Sequence, residues 1–180
     1  MQSAVWRLST ILGFVLVMNP VACPEGKPVS VEEKTAFLKL LETLPFKGEF
    51  PTDEAIDLVI PQTRVLLALT RKDIEQRAKE LGGKHDDFMY RLLAVSYGLL
   101  DRKEPREHGV KHFAKIAHPE IKLAWAVGLF DRKAVSSEIV QFLRTALESK
   151  EQIKLLERLL GPDFDDFKKR VKEYPVKDGQ

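Results

Sequence analysis

Gly98-Leu99-Leu100-Asp101-Arg102-Lys103 returns about thirty residues later as Gly128-Leu129-Phe130-Asp131-Arg132-Lys133, inside the range of repeat lengths that build helical arrays. The flanks match in register: Leu93 and Ala94 correspond to Leu123 and Ala124, Val110 to Val140, and Phe113 to Leu143. Matching positions are apolar on both sides of the turn, so each copy reads as helix, turn, helix. Such units bury their apolar faces against one another. The expected fold is therefore all-α, a short α-solenoid of stacked antiparallel helix pairs. Residues 66–72, Leu-Leu-Ala-Leu-Thr-Arg-Lys, read as an earlier copy whose register has slipped by one.

Upstream of the repeat, Ser30 and Glu33 form a capping box, with Ala36, Phe37, Leu40, Leu41 and Leu44 on one helical stripe that ends before Pro45. Residues 46–51 read as a turn-rich connection, and Thr52 or Asp53 as the next cap. Pro61 lacks the N–H a helix interior needs, which predicts a break there. Ile74, Ala78 and Leu81 make a further helix, stopped at Gly82-Gly83. The stretches 88–100 and 121–130 are apolar nearly all round, the mark of helices with neighbours on several sides. Pro105 and Pro119 fit first helical turns. Downstream, 139–147 and 153–160 read as helices. The last, 164–174, buries Phe164, Phe167 and Val171 behind a polar outer face suited to closing a stack.

The first residues differ from the rest. Arg7 precedes an apolar stretch from Leu8 to Met18, and small residues Val21, Ala22 and Cys23 come after Asn19-Pro20. This is the layout of an export signal, with an uncleaved membrane anchor as the competing reading. The expected organisation is a signal peptide at 1–23, a linker at 24–30, a helical repeat domain at 31–174 and a tail at 175–180. Pro20-Val21-Ala22-Cys23 resembles a lipobox, in which Cys23 becomes the lipidated first residue, although that pattern prefers Leu where Pro20 stands. Cleavage beside Ala22 or Cys23 without lipid is the alternative. The expected location is periplasmic, cell-envelope or secreted, with membrane attachment through the N-terminus on the lipoprotein reading. Cys23 is the only cysteine, so the mature domain has no disulfide framework.

Twenty-nine basic and 27 acidic residues nearly cancel, and no run of like charge marks a nucleic-acid surface, so no nucleic-acid partner is expected. No nucleophile triad, phosphate-cradling glycine loop or zinc-hydrolase helix is present, and no cofactor is implied.

The stretch from Leu123 to Val135, with Ile139-Val140 and Leu143 beyond it, resembles the short HEAT-type repeat, whose units run Ala-rich helix, Gly-Leu, a brief charged turn, Ala-Val and a second helix. The copy from Leu93 to Ala117 is similar but carries Pro105-Arg106 in place of Ala-Val. Resemblance spans about residues 88–148. It implies a HEAT-like or armadillo-like scaffold that binds a protein or other macromolecular partner without catalysis. Because HEAT-like folds include DNA glycosylases and lyase-related proteins, it also implies an enzymatic alternative, with Trp125, Tyr90 or Tyr97 lining a cleft.

Four basic residues are the expected partner-binding positions: Arg102, Lys103, Arg132 and Lys133, with Arg71-Lys72 a third pair. The opposing reading makes each Asp a cap for the next helix and puts the basic pair at a helix end favoured by its dipole. His108 and His112, four apart, share a helix face and could carry a metal or small ligand. Against this, their alignment with Glu138 and Phe142 predicts one surface and one packing histidine, and no metal site is assigned. Asp163, Asp165 and Asp166 read as compensation of a helix N-terminus rather than acid-base chemistry.

Overall fold

The computed structural model describes residues 28–48, 50–82 and 85–175. The expected signal segment with Cys23, most of the linker and the end of the tail lie outside the described residues.

Helix α1 (Val31–Thr43) starts where its capping box requires: Ser30 Oγ accepts the Glu33 N–H at 3.2 Å, and the Glu33 carboxylate accepts the Ser30 N–H at 2.7 Å. It buries Phe37, Leu38 and Leu41. A minimal hairpin comes next, β1 (Phe46–Lys47) antiparallel to β2 (Phe50–Pro51) in the register Phe46 to Pro51 and Lys47 to Phe50. Two residues per strand leave no alternation to read, which is why this stretch reads in sequence as a turn. Thr52 caps α2 (Asp53–Val59), accepting the Ala55 N–H at 3.2 Å. The break at Pro61 is a 3-10 turn over Ile60–Gln62, after which α3 runs from Thr63 to Leu67.

The chain continues through α4 (Arg71–Glu80), α5 (His85–Gly98), α6 (Lys103–His112), α7 (Pro119–Asp131), α8 (Ser137–Ala146), α9 (Lys150–Leu160) and α10 (Phe164–Glu173). The fold is all-α, and the hairpin is the only β-structure among the described residues. No helix among them is long and apolar enough to cross a membrane.

Helix α7 is the centre of the core. It packs along α5 on one side and α8 on another, with α6 also against it, while α1 closes over α3, α4 and α5. Every residue from Leu123 to Phe130 is buried, which explains why its sequence shows no polar stripe. Trp125 is the largest fully buried side chain. It fits because α6 offers Gly109: a Cβ there would overlap the Cζ3 and Cε3 atoms of the indole. Gly128 does the same for Leu100, allowing α5 and α7 to approach closely.

The two copies of the repeated phrase end their helices differently. The first passes from α5 into a 3-10 turn, Leu99–Asp101, and extended Arg102 opens α6 at once. The second stays helical through Asp131, turns at Lys133 with φ 57°, and reaches Ser136, which caps α8. The residues immediately downstream account for the difference. Pro105 suits a first turn beginning immediately, whereas Ser136 supplies a cap three residues beyond the second phrase.

Candidate functional site

The charged turns lead to a line of ion pairs. Arg102 Nη2 lies 2.9 Å from Asp53 Oδ1 and 3.0 Å from Asp57 Oδ1, joining the start of α6 to α2. Arg132 donates through Nε and Nη2 to Asp101 Oδ1 at 2.9 and 2.6 Å, and through Nη1 to the Gly128 carbonyl at 3.1 Å. Its guanidinium stands 4.5 Å from the Tyr97 ring centroid, and its side chain is only 14% exposed. Arg170 bridges Asp131 at 3.0 Å and Asp166 at 2.9 Å. Residues 101 and 102 are neighbours, as are 131 and 132. The pairs therefore form a continuous series from α2, through both repeated turns, to α10. Tyr97 adds a hydrogen bond, its hydroxyl donating to Asp131 Oδ2 at 3.2 Å. Burial pushes the Tyr97 phenol up, and the Asp131 charge adds to this, so it remains a protonated donor.

This geometry separates the four expected binding residues. Arg102 and Arg132 spend their charge within the chain. Lys103 is 80% exposed, with Glu107 at 3.7 Å its helical neighbour, and Lys133 is exposed on the left-handed turn. The cap reading needs correction: Arg102, not Asp101, is the N-cap of α6, and its side chain makes no cap bond, while Asp131 ends α7. Both aspartates accept from arginines of a later element. The dipole reading holds only for Arg132 and Lys133, past the C-terminus of α7; Arg102 and Lys103 stand at the positive end of α6. Arg71 and Lys72 occupy the first turn of α4, apart from the ion-pair series.

His108 and His112 are both half-buried, with ring centroids 4.4 Å apart and planes tilted by 48°. The division into one packing and one surface histidine is therefore corrected: the rings pack on each other. Among the described residues, no group of three or more His, Cys, Asp or Glu is arranged to hold a metal ion. Asp165 and Asp166 lie in the first turn of α10, where helix-dipole compensation places them. Trp125 is fully buried, and Tyr97 is tied to Asp131 and Arg132. Neither offers a stacking platform in a cleft.

One residue that sequence reasoning passes over has a defined position. His118 is 3% exposed and caps α7, its Nδ1 accepting the Glu120 N–H at 3.2 Å. The signal available for it in sequence is a polar residue directly before Pro119 at a helix start. Compared with family models, curated proteins and solved structures, the chain matches none.

Proposed function

We propose that this chain is an exported, HEAT-like helical scaffold that presents one edge of stacked helix pairs to an acidic protein partner. Export is read from residues 1–23, and the repeat architecture from the recurring phrase and its flanks. The observation that carries the binding reading is the backbone of Lys133. It is the only non-glycine residue with positive φ among the described residues, and the conformation costs an L-residue about 1–2 kcal/mol. Glycine would sit there without strain, and strained positions concentrate where a side chain has a role. Lys103 is the exposed cation of the equivalent turn. The ion pairs of Arg102 and Arg132 hold both turns in place, so these arginines position the edge and the lysines meet the partner.

Two substitutions test this. Lys133→Gly relieves the backbone and raises stability by about 1 kcal/mol, yet weakens partner capture by crosslinking in the native envelope. Combined charge reversal, Lys103→Glu with Lys133→Glu, abolishes capture while the fold persists. Capture unchanged in both variants rules the edge out.

The packed imidazoles of His108 and His112 favour a second reading, a carrier for a divalent ion that prefers nitrogen ligands. An ion bound only by the folded chain must stabilise it. Zinc added to chelator-treated protein then raises the melting temperature, and His108→Ala removes the rise; no shift eliminates this reading.

A further inference from the structure

We propose that His118 is an acid-sensitive latch that seats α7 when its imidazole is neutral and releases the first turn of that helix when it is protonated. Nδ1 of His118 accepts the Glu120 N–H at 3.2 Å, so in the folded chain that nitrogen carries no proton. Pro119 has no N–H to offer, which makes the Glu120 amide the first donor of α7 in need of a partner. The His118 carbonyl also accepts the Lys122 N–H at 2.9 Å, and the preceding Ala117 N–H reaches the Leu67 carbonyl at the end of α3 at 3.4 Å. His118 thus stands where the most deeply buried helix is fastened to the N-terminal part of the fold.

A proton on Nδ1 would turn an acceptor into a donor aimed at another donor. It would also put positive charge at the positive end of α7, in a site only 3% exposed. Beside His118 lies a cleft of about 170 Å³, lined by Arg71, Ile74 and Glu75 of α4, Met89 of α5, and Glu120 of α7. Three charged residues of the described chain line that cleft beside the imidazole: Arg71, Glu75 and Glu120. Arg71 opposes the imidazolium. The carboxylates attract it, but Glu75 is exposed and Glu120 is partly so, and water screens them while the ring stays at the cap. They give the protonated ring somewhere to go: it satisfies them only by turning into the cleft, away from the Glu120 amide.

The unfolded chain takes up the proton without losing a bond, so it binds more protons than the folded chain. The stability supplied by the cap is complete above the ordinary histidine range near pH 6.5 and falls as pH drops through it. His108 and His112 are a second pair of imidazoles in ring contact, so the test must separate them from His118.

Thermal unfolding of the full chain between pH 8 and pH 5 does so. The wild type loses several degrees of melting temperature on acidification. His118→Asn, whose amide oxygen caps at any pH, flattens that loss, and His108→Gln with His112→Gln leaves it in place. Native-state hydrogen exchange in the wild type gives an independent reading: protection of the Glu120 amide, corrected for intrinsic rate, falls about tenfold or more between pH 7.5 and pH 5.5. The latch is overturned if His118→Asn loses as much as the wild type, or if Glu120 protection is constant across that range. The outcome leaves the lysine edge untouched, because none of these variants alters Lys103 or Lys133.

Discussion

Gly109 shows how a single side-chain hydrogen decides local packing. It lies inside α6, where alanine would ordinarily gain about 1 kcal/mol in helix propensity. Here a methyl group would enter the ring of Trp125. Overpacking of this kind costs about 1–3 kcal/mol, so Gly109→Ala lowers stability in urea unfolding, with a change in the Trp125 emission. A more stable variant would mean that the indole has room to move. Trp125 already carries one cost, since its buried Nε1 has no hydrogen-bond partner among the described residues. A helix-favouring change therefore acts against the fold at this position, for a reason that no propensity scale contains.

At the level of elements, capping explains most helix starts, and α4 shows caps also joining helices. Asp73 Oδ2 accepts the Thr70 N–H at 2.8 Å and the Thr70 hydroxyl at 2.7 Å, and receives Lys34 of α1 at 2.8 Å. Burial pushes the Asp73 carboxyl up, but the hydrogen bonds from Lys34 and Thr70 outweigh it and hold the group below its ordinary value. Its contribution is then present above the unfolded carboxyl value of about 3.9 and lost as pH falls through the lower folded value. Asp73→Asn keeps a cap acceptor and loses the ion pair, reducing stability at pH 7 by about 1 kcal/mol. The difference from wild type closes as pH falls through the lowered folded value of the carboxyl. A gap that persists into strong acid would show that shape, not charge, sets the loss. The contrast between α7 and α10 belongs to this scale too: α7 has apolar neighbours on several sides, whereas α10 buries Phe164, Phe167 and Val171 and leaves its lysines in water.

Across the whole molecule, the ion-pair series links α2, both repeated turns and α10. Isolated surface pairs contribute little, about 0–1 kcal/mol, but Arg132 is mostly covered and also bonds to the Gly128 carbonyl. A double-mutant cycle of Asp101→Asn and Arg132→Gln therefore gives a coupling energy of about 0.5–1 kcal/mol that shrinks in high salt; zero coupling at low salt would make the series incidental. These arginines are legible in sequence as positions, but not as partners. Arg102 finds Asp57 and Arg132 finds Asp101 across 45 and 31 residues, and only packing brings such residues together. The same limit hides the stacking of His108 on His112 and the depth of His118. The capped starts of α1 and α2, the break at Pro61 and the all-α class needed no tertiary information, because caps, prolines and apolar spacing act within a turn or two of the backbone. The tertiary structure alone decided which charges face solvent, since burial and ion pairing depend on neighbours in space, and a repeated phrase says nothing about those.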